Sequence, residues 1–344
     1  MKNASLLRTF ITIMVALGIG IIVIAFTSSE PANAIKSFFI GPFSNVYFFG
    51  NMLAASIPLM LTGLAASIAF SASAFNLGLE GQLYISALVG TYITWKFQGL
   101  SPFILIPLVL VISFFTGGVI AAFSGYLKVR RNVNELISSL LISYTLMYMG
   151  DFFLEGPFKD PLAGLAASPY FDSTFMFSKI LPPSDLHTGI FIAIGIIIIV
   201  YFVMKKSIVG FEITLTGRNK IFSKYAGIPV SRVTVVAMLM SGGFAGLAGI
   251  IDIYGIHGRM IRGYSAGYGW NGIAVALIAR NHPLLVIPAA IFFAYLESGA
   301  NVASLFSDIT PEIARIIQAA VFYLITAEGL LSFIKARKEA VSNG

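Results

Sequence analysis

Apolar runs of bilayer length recur along almost the whole chain, and they constrain the fold more than any other feature. A helix crosses the hydrocarbon in roughly 20 residues. Runs near 10–26, 46–71, 83–97, 102–127, 133–153, 187–204, 233–251, 268–280, 284–302 and 312–333 meet that need or approach it. Only 11% of the residues are charged and 57% are hydrophobic, where a soluble domain carries about 25% charged residues. The expectation is an all-α, polytopic membrane protein of about ten transmembrane helices, with 1–344 as a single transmembrane domain. Ala32-Asn-Ala34 resembles a signal-peptidase site. The run before it exceeds the roughly 7–15 residues of a signal h-region, so an uncleaved first span is the expectation.

There are no cysteines, hence no disulfide framework and no thiolate metal site. His187, His257 and His282 show no ligand spacing. Neither a cofactor nor a metal is expected, and no catalytic residue. The net charge of +7 belongs to membrane topology rather than to nucleic-acid binding, because Lys and Arg mark cytoplasmic loops. Lys128, Arg130 and Arg131 form one basic cluster. Lys205, Lys206, Arg218, Lys220, Lys224 and Arg232 form a second, and Lys335, Arg337 and Lys338 a third. With both termini cytoplasmic all three clusters fall inside, and the proline-rich segment 154–186 falls outside.

Ser71 to Gln82 breaks this pattern. The stretch is too polar for mid-membrane helix and too poor in Lys and Arg for an ordinary cytoplasmic loop. Gly78 and Gly81 flank a lone carboxylate, Glu80. Broken backbone is tolerated at membrane depth where it lines a cavity. Gly263 to Gly272 repeats the pattern in the second half of the chain, giving a pseudo-repeated architecture with two interrupted segments. Paired interruptions point to a transport path. The expected path residues are Asn76, Glu80, Gln82, Tyr268, Trp270 and Asn271. A plainer reading stands beside each set. Glu80 would accept bonds from freed backbone N–H groups, and Trp270 and the tyrosines would be interfacial anchors.

Three other motifs read as structural. Asn132 is expected to cap the fifth span, with Glu135 at N3. Gly242, Gly246 and Gly249 suit close helix packing. Arg280-Asn-His-Pro283 reads as a tight polar turn.

The basic loop 205–232 does not look like a linker. A helix-compatible piece, Asn219–Ala226, is bounded by Gly217 and by Gly227, with Pro229 just after it. Such a helix either lies on lipid headgroups or docks a soluble partner.

Phe75-Asn-Leu-Gly-Leu-Glu-Gly-Gln82, Asn134-Glu135-Leu-Ile, Gly156-Pro-Phe-Lys-Asp-Pro161, Tyr225-Ala-Gly-Ile228 and Gly272-Ile-Ala-Val-Ala-Leu-Ile-Ala-Arg280-Asn-His-Pro283 together carry a resemblance. The chain resembles the permease subunits of ATP-binding-cassette importers for nucleosides and simple sugars, related to ribose and branched-chain amino-acid permeases. The second and third motifs look most like the nucleoside branch. The resemblance implies a bacterial-type plasma membrane, a second permease subunit (a homo- or heterodimer), cytoplasmic ATPase subunits and an extracytoplasmic substrate-binding protein. It makes 217–227 the coupling helix, with Gly217, Arg218, Asn219, Lys224, Tyr225, Ala226 and Gly227 as ATPase contacts. Phe222 and Ser223 depart from the family's small alanines, and Arg218 stands where the family often has an acid.

Other classes fit less well. A monosaccharide permease, for ribose for instance, shares the same features. An ion-driven transporter needs several intramembrane carboxylates, and only Glu80, Glu297 and Glu328 qualify. An enzyme in the membrane needs a cluster of acids, histidines or cysteines, and the sequence offers none.

Overall fold

The computed structural model describes residues 2–265, 267–313, 315–320 and 323–324. Most of the expected tenth span, the third basic cluster and Glu328 lie outside them. The described residues form helices α1 (Lys2–Thr27), α2 (Pro31–Ile40), α3 (Val46–Ser71), α4 (Leu79–Lys96), α5 (Pro102–Arg131), α6 (Glu135–Glu155), α7 (Gly189–Lys206), α8 (Ile208–Arg218), α9 (Lys220–Tyr225), α10 (Val230–Asp252), α11 (Tyr268–Ile278) and α12 (Val286–Phe306). No strand is present among them.

Six helical segments are long and apolar enough to cross a membrane among the described residues. They are Val46–Ser71, Pro102–Arg131, Glu135–Glu155, Gly189–Lys206, Val230–His257 and Pro283–Phe306. The expected span at 268–280 is α11, only 11 residues. At 1.5 Å per residue it reaches about 16 Å, half of a bilayer core of about 30 Å.

The chain divides into two compact units. In the unit built from residues 1–52 and 291–344, Asp308 ties the segment after α1 to the end of α12. Its carboxylate accepts Ser28 Oγ at 2.5 Å, Ser29 N at 2.6 Å and Ser29 Oγ at 2.7 Å.

The second unit, residues 53–290, holds both interruptions. Its centre is α10, laid on α5 and α4. A Cβ on Gly242 would strike the carbonyl oxygen of Gly117, one on Gly246 that of Ser113, and one on Gly249 that of Leu83. Only glycine allows backbones to approach this closely. Segment 156–188 folds back on the end of α10. Phe177 N bonds Tyr254 O at 2.8 Å, and Ser168 N bonds Met260 O at 2.9 Å. Phe171, Phe175 and Tyr254 are buried together there.

One cap differs from expectation. Asn132 does not open α6. It ends α5 in the left-handed region, φ 53, a conformation that Asn tolerates at a helix C-terminus. Asn134 is the true N-cap, its side chain accepting Leu136 N at 2.9 Å. Glu135 is therefore the first helical residue, and its carboxylate pairs with Lys128 across the turn.

Candidate functional site

The first interruption is shorter than the sequence suggests. α3 ends at Ser71, and α4 begins at Leu79. Glu80, Gly81 and Gln82 thus lie in the first turn of α4 rather than in the break. Ser73 turns the chain with φ 51. Asn76 and Gln82 exchange amide hydrogen bonds, Asn76 Nδ2 to Gln82 Oε1 at 2.8 Å and Gln82 Nε2 to Asn76 Oδ1 at 2.9 Å. Asn76 Oδ1 also accepts Gly78 N, at 3.0 Å. From α6, Ser139 Oγ accepts Leu77 N at 3.1 Å, and Ser143 Oγ accepts Gly81 N at 2.7 Å. Buried backbone N–H groups must find partners, and hydroxyls and amides in this chain supply them.

Glu80 joins the first interruption to the second. Its Oε1 accepts Ser265 Oγ at 2.5 Å and Gly267 N at 3.2 Å, and its Oε2 accepts Gly269 N at 2.6 Å. Gly267 is the N-cap of α11, so a carboxylate on α4 caps α11. The first N–H groups of a helix lack internal partners and carry partial positive charge. An acid placed against them meets both needs. Gly269 is required by the contact, because a Cβ there would strike the Glu80 backbone.

The structure therefore places Asn76, Glu80 and Gln82, all buried, around the start of α4 in two hydrogen-bonded sets, Asn76 with Gln82 and Glu80 with the start of α11. Tyr268, Trp270 and Asn271 sit on the first turn of α11. Trp270 is 41% exposed, and Asn271 is half-buried. The plainer reading of Glu80, a carboxylate holding freed backbone N–H groups, describes its bonds.

The basic loop contains α9, capped by Asn219, whose Oδ1 accepts Phe222 N at 2.9 Å. It stops at Gly227, φ 80, a left-handed position that suits glycine. Arg218, Asn219, Lys224, Tyr225, Ala226 and Gly227 are exposed. Ile221 is 71% exposed, and Tyr225 is 89% exposed. Ser223 is the buried position, which explains a small residue there. Gly217 departs from expectation. It does not bound the short helix but lies inside α8, against the carbonyl of Ser71, where no Cβ fits. Ser73 Oγ donates to Gly217 O at 2.8 Å, and Lys220 Nζ donates to Ser73 O at 3.2 Å. The basic loop is thereby fastened to the first interruption. Partial burial and then the nearby Lys128 lower the pKa of the Lys220 ammonium.

Sequence reasoning missed a second polar group. Asp252 is fully buried, and His257 Nε2 lies 3.2 Å from its Oδ2. The available signal was an acid closing a glycine-rich apolar run, five positions before a histidine. Tyr84 was missed too. Its hydroxyl donates to Asp151 at 2.5 Å, and Asp151 faces Arg262 at 3.3 Å.

Membrane-length helices with two broken segments locked to each other define a polytopic membrane transport protein. The chain belongs to the family described as branched-chain amino acid transport system / permease component, whose model matches residues 48–326. It is similar to the glucose ABC transporter permease protein TsgB13 of Haloferax volcanii, 30% identical over 333 residues, covering 92% of this chain and 86% of that protein. It is also similar to the guanosine ABC transporter permease protein NupP of Bacillus subtilis, 30% identical over 340 residues, covering 98% and 97%. The nucleoside ABC transporter permease protein NupB of Lactococcus lactis subsp. cremoris is 26% identical over 351 residues, covering 99% and 96%. The chain is thus a multi-pass plasma-membrane permease component and not an enzyme.

Proposed function

We propose that this chain is the permease through which an ATP-driven importer moves nucleosides, with hydrolysis supplied by cytoplasmic ATPase subunits and substrate delivered by an extracytoplasmic binding protein. Two relatives that span nearly the whole chain are named for guanosine and nucleoside transport, which favours a nucleoside over the sugar of the glucose relative. The chain acts as one permease domain over 1–344, with about ten spans, both termini cytoplasmic, 154–186 outside, and a second permease subunit beside it. The six qualifying segments are joined in this reading by α1, α4 and α11, which makes a broken crossing together with the interrupted segment before it, and the expected tenth run at 312–333 lies mostly outside the described residues.

The observation that carries the reading is the fastening of 217–220 to Ser71 and Ser73. A permease without its own nucleotide site must receive force through a structured cytoplasmic surface attached to the path. α9 and the residues on either side of it offer Arg218, Asn219, Lys224, Tyr225, Ala226 and Gly227 outward, and Gly217 joins that surface to the break that leads to Asn76, Glu80 and Gln82. Tyr268, Trp270 and Asn271 complete the path from α11. Uptake of labelled guanosine by cells whose only nucleoside importer contains this permease tests the substrate. Unlabelled adenosine or uridine should compete, and excess ribose or glucose should not. Competition by a free sugar as strong as by a nucleoside would overturn the substrate class.

A further inference from the structure

α10 does not end as an α-helix. Ile253–His257 forms a π-helical turn closed by Gly258, φ 64. Single π turns often accompany functional sites. Asp252 stands at the entrance of this turn, fully buried, and among the described residues no donor is bonded to either carboxylate oxygen. His257 Nε2 lies 3.2 Å from Oδ2, but without the alignment of a hydrogen bond. The Tyr264 hydroxyl is likewise buried and unbonded. It reaches α10 one turn before Asp252, where a Cβ on Gly249 would come within 2.9 Å of it. The Tyr264 ring meets His257 edge-on at 5.6 Å and stacks on Tyr84 at 5.9 Å.

This cluster contrasts with the joint at Glu80. There every carboxylate oxygen has a donor, and Asn76 and Gln82 satisfy each other. At Asp252 neither oxygen accepts a hydrogen bond among the described residues, and His257 alone stands beside Oδ2. A buried carboxylate without donors is costly, and membrane ionisable groups are functional candidates by default. The segment carrying Tyr264 over this face has left-handed glycines at Gly258, Gly263 and Gly267, φ 64, 71 and 90. Arg262 anchors it outward to Asp151 at 3.3 Å and to Glu155. A hinged cover held by exposed ion pairs suits a site that opens during transport.

We propose that Asp252, assisted by the Tyr264 hydroxyl, is a substrate contact that accepts a neighbouring pair of hydrogen-bond donors from a neutral ribonucleoside. The inference rests on the nucleoside reading above. Two carboxylate oxygens side by side match two donors side by side. A nucleoside carries such a pair in two places: the ring N–H and amino group of guanine, and the 2′,3′-diol of ribose.

The test uses the complete importer in membranes, with Asp252→Asn, which keeps the shape and turns one acceptor into a donor. The rate of the variant relative to wild type is measured for guanosine, adenosine and 2′,3′-dideoxyadenosine, so that the binding protein's own preference cancels. Loss of a paired, charged contact should lower transport by about ten- to a hundredfold. If guanine supplies the pair, guanosine falls and both adenosines do not. If the diol supplies it, guanosine and adenosine fall together and the dideoxy analogue does not. Tyr264→Phe, which removes only a hydroxyl, should cause a smaller loss in the same order of substrates. An equal loss for all three substrates in both variants, or no loss in either, would overturn the inference. A wild-type importer that moves no nucleoside would instead sink the nucleoside reading itself.

Discussion

Glu80 Oε2 accepts the backbone N–H of Gly269 at 2.6 Å, although the two residues belong to different helices and to opposite halves of the sequence. The acid in the first turn of α4 caps α11. The two interruptions of the apolar pattern are therefore two sides of one contact, and movement of either helix start is felt by the other.

That contact should fail when either side is altered. Glu80→Ala leaves the hydroxyl of Ser265 and the N–H groups of Gly267 and Gly269 without their acceptor. The expected loss is about 2–3 kcal/mol, read as a lower melting temperature of the purified permease, together with reduced uptake at equal membrane abundance. Gly269→Ala should act in the same direction by pushing on the Glu80 backbone. Asn271→Ala, on the same turn of α11 but half-buried, should reduce uptake with little change in melting. Wild-type uptake by all three variants would remove this joint and its neighbour from the transport path.

Orientation can be read with single cysteines, since the chain has none. Ser168 is a poor probe site, being buried and bonded to Met260. Leu162 is 94% exposed and lies in the expected outer segment, while Lys224 is exposed on α9. An impermeant thiol reagent applied to intact cells should label Leu162→Cys and spare Lys224→Cys. The reverse pattern would invert the topology.

Asp308 offers a pH-dependent prediction in the other unit. Bonds from Ser28 and Ser29 hold its carboxyl well below the usual carboxylate range. A depressed native pKa contributes stability at every pH above the unfolded value, about 3.9. That contribution is lost as pH falls through the native pKa. Asp308→Asn should therefore melt lower than wild type at pH 7, and the gap should narrow only as the solution is taken below about pH 4. A gap unchanged into strong acid would assign the effect to something other than this carboxylate.

Much of this was legible in the sequence because it rests on periodicity and on residue types with few uses. The apolar runs give the helices, and Gly227 followed by Pro229 gives the end of α9. Glu80 stands out as a lone acid between glycines. What the sequence hides is pairing at long range. Nothing local shows that Glu80 meets Ser265, or that Gly217 sits against Ser71 inside α8 rather than ending a helix. Asn132 and Asn134 are both good caps, and only the direction of the chain after α5 decides between them. Asp252 hid at the edge of an apolar run because burial among neighbours, not its own position, makes it unusual.

The proposed coupling surface yields the sharpest separation of effects. Tyr225 is 89% exposed, so Tyr225→Ala should change stability by no more than about 0.5 kcal/mol. Aromatic side chains nevertheless dominate well-packed contacts, and the variant should abolish uptake and weaken co-purification of the ATPase. Gly217→Val acts at the other end of the same device. Its side chain would meet the Ser71 carbonyl and separate the loop from the break, while α9 keeps its outward face. That variant should still hold the ATPase, yet transport little. Ser73→Ala, which deletes only the bond to Gly217 O, should show a milder form of the same uncoupling. The pair of measurements, ATPase retained by the permease and substrate moved per ATP hydrolysed, separates docking from transmission. If Tyr225→Ala keeps the ATPase and couples normally, α9 is a headgroup-bound helix. If Gly217→Val loses the ATPase as completely as Tyr225→Ala does, the contact with Ser71 shapes the docking surface and transmits nothing of its own.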